Sequence, residues 1–326
     1  MIRFNSRSWF AGIAAAGALC CAPLQAAEWA PSQPVRIIVP ITGSTNDLLA
    51  RLVAPHLEQA MGQPFIVENR PGAGGNIGAD YVARSDPDGH TLLIGYNGPI
   101  AINKSLFSRL PYDPQKDLTP ISLAVMSPQY LVVRDDLPVS SIEEFIRYAK
   151  DHPGELSYGS VAVGSASHLT MEMLKMAADL DIVHVPYKGA APALVDLVAG
   201  NVDVAFMVPG NVLPYMADGR LRAIASSGLK RFASTPDVPT VAESGFPGFN
   251  AVSWIGLLAP GGTPPEVIER YNQELVRVLG MPEVRQRLED IEFDVVATSS
   301  AEFADWIAQE IPRWGGVIEA TGARVD

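Results

Sequence analysis

The sequence predicts an α/β protein of two lobes with a ligand cleft between them. Three observations carry that reading. Two strand–loop–helix units follow one another near the start, Val35-Arg36-Ile37-Ile38-Val39-Pro40-Ile41-Thr42-Gly43-Ser44-Thr45-Asn46-Asp47 and Glu68-Asn69-Arg70-Pro71-Gly72-Ala73-Gly74-Gly75-Asn76-Ile77-Gly78. The same alternation restarts after residue 123. The composition, 48% hydrophobic and 18% charged over 326 residues, fits one large or two medium packed domains.

The elements follow in order. Residues 35–39 form an apolar strand. Residues 47–61 form a helix with Leu49, Leu52, Val53, Leu57 and Ala60 on one face and Gly62 as its stop. A second strand covers 65–68, a short helix 76–84 with Ile77, Tyr81 and Ala83 inward, and a third strand 91–95. This βαβαβ rhythm predicts a parallel sheet with helices on both faces. The second block holds strands at 130–133, 156–159, 182–185, 202–207 and 221–225. Its helices are expected at 142–151, after the 164–167 loop up to 180, and at 190–199. The last part holds a strand at 254–258 and helices at 266–279 and 301–320, the first opened by Pro264-Pro265. Ligands in such folds bind outside the carboxyl ends of strands.

The N-terminus reads as a cleavable export signal over residues 1–26. Arg3 and Arg7 precede an apolar run from Trp9 to Ala22, and Pro23-Leu24-Gln25-Ala26-Ala27 supplies small residues for cleavage. The run is too short to span a bilayer comfortably. Both cysteines, Cys20 and Cys21, fall inside it, so the mature chain has no disulfide, thiolate nucleophile or cysteine metal ligand. A periplasmic product is expected. The net charge of −12, with no basic stripe, argues against nucleic-acid binding. It does not exclude anionic ligands, because backbone donors and helix dipoles do not enter a net charge.

Catalytic motifs fail on spacing. G-x-G-x-x-G from Gly72 requires glycine where Ile77 stands. There is no G-x-S-x-G elbow and no phosphate-binding P-loop. His56, His90, His152, His168 and His184 do not form a compact ligand set. Ser165 and His168, three apart, could face each other on a helix turn, a weak pair without an orienting acid. No enzyme activity, metal or cofactor is expected.

The two opening units, together with Pro87-Asp88-Gly89-His90-Thr91-Leu92-Leu93, Gly164-Ser165-Ala166-Ser167-His168-Leu169 and Val185-Pro186-Tyr187-Lys188-Gly189, resemble the Bug-type solute-binding proteins of tripartite tricarboxylate transporters. The likeness continues through 191–203, 236–245 and 253–260, nearly the whole mature chain. It implies a type II periplasmic-binding, Venus-flytrap fold. The first lobe would comprise 27–124 and 229–326, the second 125–228, with crossovers near 124–126 and 225–228. It implies capture of a small organic carboxylate by a monomer, with membrane permease subunits as partners. A ligand-loaded adaptor for a sensor kinase is the alternative. A secreted hydrolase using Ser165 and His168 is a third reading.

The resemblance also places the ligand. One carboxylate would sit in the first lobe against Ile41, Thr42, Gly43, Ser44, Thr45, Asn46 and Asp47, with Tyr96, Asn97 and Gly98 facing the same cleft. From the second lobe, Gly164, Ser165, Ala166, Ser167 and His168 would present a helix start, and Tyr187 and Gly189 a strand end. Ser167 could equally cap its helix. Trp254 could be core packing beneath the cleft. Two departures stand out. The family's first loop usually reads P-x-x-x-G-G-x-x-D, whereas Pro40 to Asp47 is one residue shorter with a single glycine. Val208 stands where the family often has an acid, which removes a counter-charge for an amino group and favours plain or apolar-tailed acids.

Overall fold

The computed structural model describes residues 1–2 and 29–325. The expected signal segment, with both cysteines, lies almost wholly outside the described residues. Two mixed sheets organise the chain. The first half of the first sheet comes from β1 (Val35–Val39), α1 (Thr45–Met61), β2 (Phe65–Asn69), α2 (Asn76–Ala83) and β3 (Thr91–Tyr96), followed by a π turn over Gly98–Ile102 and the short α3 (Asn103–Leu106). β4 (Leu118–Pro128) then leads out to the second sheet. That sheet is built from β5 (Tyr130–Arg134), α4 (Ile142–Asp151), β6 (Ser157–Ser160), α5 (Ala166–Ala178), β7 (Val183–Pro186), α6 (Ala190–Val198), β8 (Val204–Met207), α7 (Pro209–Ala217) and β9 (Leu221–Ser226). β10 (Val252–Pro260) returns to the first sheet, followed by α8 (Pro265–Leu279), α9 (Pro282–Glu289), β11 (Asp294–Val295) and α10 (Ser300–Thr321).

The strand orders are β11-β4-β10-β3-β1-β2 and β7-β6-β8-β5-β9. β1 pairs in parallel with β2 and β3, and β6 with β7 and β8. The expectation of a parallel first sheet therefore holds for half of it. β10 runs antiparallel to both β3 and β4, because it brings the chain back from the second sheet. In each sheet the strand order reverses about one strand, β1 or β6, and a crevice opens at that strand's carboxyl end. Residues 40–46 and 161–165 occupy those two places.

Alternation along the strands divides the first core. Ile37, Leu92 and Leu257 point towards α1 and α8, while Ile38, Leu93 and Leu258 point towards α2 and α10. α1 ends where Gly62, at φ 74°, turns left-handed and its N–H bonds to the Glu58 carbonyl. On α2, Tyr81 and Ala83 of the expected inward face are partly buried against the core and Ile77 is exposed, while Ala79 and Val82 are fully buried. Residues 124–126 lie inside β4, and the sheet changes at Gln129. Residues 232–241 stay with the second sheet after β9. Phe232 packs on Tyr130 at 4.5 Å, the Tyr130 and Thr235 hydroxyls lie 2.6 Å apart, and Ser226 forms a bridge with Thr240.

Candidate functional site

A cavity lies between the two sheets, with about 590 Å³ of empty space, part of it open to solvent. From the first sheet, Ile41, Ser44, Thr45 and Asn46 form one wall where β1 gives way to α1. The first intrahelical bond runs from Leu48 N–H to Ser44 O, so the N–H groups of residues 45–47 precede it. Ser44 occupies the N-cap position without a capping side-chain bond. Its Oγ and the Nδ2 of Asn46 are buried and have no hydrogen-bond partner among the described residues. Buried polar groups are rarely left so.

The second wall is the start of α5. Ser165 is the N-cap, its Oγ accepting from His168 N–H at 3.3 Å, so the cap is Ser165 and not Ser167. A hydrogen-bond relay holds the turn. Val161 N–H donates to Ser167 Oγ (3.1 Å), Ser167 Oγ–H to Ser165 Oγ (2.9 Å), and Ser165 Oγ–H to Ala162 O (2.7 Å). The first intrahelical bond is Leu169 N–H to Ser165 O, so the N–H groups of Ala166 and Ser167 precede it. Ala190 at the start of α6, and Val208 and Asn211 at the start of α7, also line the cavity. Four helices thus begin at one space, and each helix start carries partial positive charge. No Asp, Glu, Lys, Arg or His is among the lining residues. An anion there is met by neutral dipoles.

Tyr96, Asn97, Gln129, Ser253, Trp254 and Ile255 complete the floor, with Phe206, Met207 and Phe293. Asn97 fastens β10 beside β3: its Oδ1 accepts from Trp254 N–H (2.9 Å) and its Nδ2 donates to Val252 O (3.1 Å). Trp254 Nε1–H donates to the buried carboxylate of Glu310 at 2.9 Å. Gln129 Nε2 donates to Thr170 Oγ1 (2.9 Å).

The structure brings ten expected residues to this cavity: Ile41, Ser44, Thr45, Asn46, Tyr96, Asn97, Ser165, Ala166, Ser167 and Val208. It places others elsewhere. Asp47 points to Arg51 Nε (2.9 Å) and Asn69 Nδ2 (2.8 Å); partial burial works against its charge, and these bonds outweigh it and hold its carboxyl below the usual range. Thr42 and Tyr187 line an outer groove. Gly43, at φ 61°, only turns the chain. A Cβ on Gly189 would lie 3.8 Å from Thr42 O, one on Gly164 would overlap Leu106, and one on Gly98 would meet the Tyr96 ring at 2.9 Å. Gly164 and Gly98 make room for the Leu106 and Tyr96 side chains, Gly189 stands in ordinary contact with Thr42, and none of the three lines the cavity. His168 lies on the buried face of α5. Its Nδ1 accepts from Gly164 N–H (3.0 Å), and its ring stacks on His184 at 4.1 Å, which in turn stacks on Tyr158 at 4.7 Å. Burial lowers the pKa of both imidazoles to about 4. The imidazole does not bond the Ser165 hydroxyl, so no Ser-His pair is assembled there.

The Gly72–Gly75 turn also proves to be protein-facing. Gly74 O accepts from Asn103 Nδ2 (3.1 Å) and Tyr96 OH (3.2 Å), and its residues border the outer groove. Sequence reasoning missed Gln129, Val161, Asn211, Ser253 and the apolar ends of β8 and β10. The strand-end rule could have found Phe206 and Met207 at the carboxyl end of β8, but not Trp254 and Ile255, which lie at the amino end of the antiparallel β10.

Comparison with known proteins identifies the family. Residues 49–323 match the family described as tripartite tricarboxylate transporter family receptor. The chain is 37% identical to the protein BugT of Bordetella pertussis over 316 residues, 96% of this chain and 97% of BugT. Among solved structures it is similar to R. palustris Rpa4515 with adipate, at TM-score 0.86 and 37% identity, covering 90% of this chain and 98% of that one. The periplasmic binding protein BugD gives TM-score 0.84 and 33% identity, covering 90% and 99%. MatC of Rhodopseudomonas palustris with bound malate gives 0.83 and 35%, covering 88% and 99%. The chain belongs to the TctC family of tripartite tricarboxylate transporter receptors, in its Bug-type branch of two-lobed periplasmic binding proteins.

Proposed function

We propose that this chain is a receptor that captures a small organic acid between its two sheets, without chemical turnover, for delivery to a membrane permease. The observation that carries this is the cavity at four helix starts, uncharged in its lining, with the unpartnered Asn46 Nδ2 and Ser44 Oγ at one wall. A hydrogen bond to a charged group contributes ~1.5–3 kcal/mol, so a few such donors give micromolar capture. The apolar floor of Phe206, Met207 and Ile255 suits a methylene chain between polar ends. The bound adipate and malate of the relatives support a dicarboxylate. With Val208 and no acidic side chain in the lining, a ligand ammonium finds no counter-charge, which disfavours amino acids. One lobe forms around the first sheet and the other around the second, with the divide at Gln129 and near residue 241. Residues 1–26 direct export to the periplasm and are removed.

A thermal-shift screen of the chain from residue 27 against mono-, di- and tricarboxylates and amino acids tests this. A ligand at 100 times its Kd adds ~2.7 kcal/mol, visible as a higher melting temperature. A shift confined to organic acids is expected. A shift with amino acids only, or product formation from a bound acid, overturns the reading.

A further inference from the structure

The outer groove beside the cavity is lined by Thr42, Pro71, Phe107, Val163, Tyr187 and Lys188, among others. The groove and the cavity share three lining residues, Ile41, Tyr96 and Val161. Residues that line both spaces are the wall between them. We propose that these three side chains form a partition that sets the longest acid the cavity accepts. This inference rests on the reading that the cavity holds an organic acid.

The three residues differ in mobility. Tyr96 is the fixed post. Its hydroxyl donates to Gly74 O, a Cβ on Gly75 would lie 2.7 Å from its oxygen, and one on Gly98 would lie 2.9 Å from Cε2. Burial raises its phenol pKa, so it stays a neutral donor. The glycine-rich turn of residues 72–75 is therefore the seat of this ring. Ile41 and Val161 are the removable part, one from each sheet's crevice loop, and both are only half-buried. Ile41 is absent from the packed core clusters of the described residues. Val161 packs its side chain on the edge of the core cluster around Tyr130 and Ala193, so trimming it costs some packing, but its backbone N–H bond to Ser167 Oγ stays in place. Beyond the partition, Pro71, Phe107 and Val163 offer apolar surface to further methylenes, and the exposed Lys188 offers a cation to a distal carboxylate.

The test measures Kd by calorimetry for succinate, adipate, suberate and sebacate, in the native protein, in Ile41→Ala/Val161→Ala and in Val161→Leu. Native protein should bind the shorter acids and discriminate against sebacate. The trimmed variant should gain about tenfold or more for sebacate relative to adipate, as two to three methylenes become buried. Val161→Leu should move the other way and lose the longest acid that native protein accepts. Melting temperatures establish that each variant is folded, and Val161→Leu keeps the question open to an answer if the trimmed variant is not. If native protein binds diacids and both variants keep its length profile, the partition is wrong and the receptor reading stands. If native protein binds sebacate as tightly as adipate, the partition is wrong too. If no acid binds any form, the receptor reading fails and takes the partition with it.

Discussion

The amide nitrogen of Asn46 is buried and accepted by no protein atom among the described residues. Leaving such a donor unpaired costs about 1–3 kcal/mol in the free protein, and a ligand carboxylate recovers it. Asn46→Leu, close in size, should therefore leave the melting temperature of the free protein unchanged or higher. The same change should weaken acid binding by about ten- to a hundredfold in calorimetry. Unchanged affinity removes Asn46 from the site. The stacked His168 and His184 make a second residue-scale prediction. Burial is the main cause of both lowered pKa values, with His168 adding to the effect at His184 and the Glu172 carboxylate opposing it at both. The folded value of about 4 lies below the ordinary 6.5, so the fold favours the neutral rings. Between these values the unfolded chain binds more protons, so this stability is complete above pH 6.5 and is lost as pH falls towards 4. Thermal melts across that window should show the decline. His168→Gln/His184→Gln should flatten it, and an equally steep slope in the double variant excludes the pair as its source.

At the scale of elements, α7 and α1 meet across the cavity with only a glycine between them. A Cβ at Gly210 would lie 3.3 Å from Ile291 Cβ and 3.4 Å from Thr45 Cγ2. Gly210→Leu should hold the two walls apart and weaken acid binding about tenfold or more, read by calorimetry. The overpacking costs ~1–3 kcal/mol, offset by up to ~1 kcal/mol of helix propensity, so at most a modest fall in melting temperature should accompany it. The elements also show how far local pattern reaches. α1, α4, α8 and α10 were legible to within two residues, since their periodic faces and their stops or starts, such as Gly62 and Pro265, lie in the helices' own sequence. α7 was not, because Pro209, Gly210 and Pro214 are poor helix formers, and the helix packs against both β9 and α6. β4 was missed as a strand of the first sheet because its long partner, β10, is remote in sequence. The candidate site divides the same way. Small polar loops at helix starts announced themselves, whereas Phe206, Met207 and Ile255 read as ordinary core. Gln129 sits between β4 and β5, where no local pattern marks it.

For the whole molecule, the net charge of −12 surrounds a cavity with no charged lining residue. A diacid approaches against that field and then binds to neutral dipoles. Raising ionic strength, which shortens the Debye length to ~10 Å at 0.1 M, should speed association severalfold. It should leave dissociation nearly unchanged. Stopped-flow fluorescence, with Trp254 in the cavity floor as reporter, measures both rates. Association that slows with added salt would mean a cationic entrance. The arrangement of β4 and β10 has a further bearing, on how the chain comes to be folded. The strand that leaves the first sheet and the strand that returns to it are immediate neighbours, with Val125 paired to Ile255. The inner edge of β3 likewise waits for β10. Everything between 129 and 251 must be made before that sheet can close, and such remote pairings are slow to form. A nascent chain lacking its last quarter therefore carries an open sheet edge, the kind of surface that chaperones hold and that aggregation exploits.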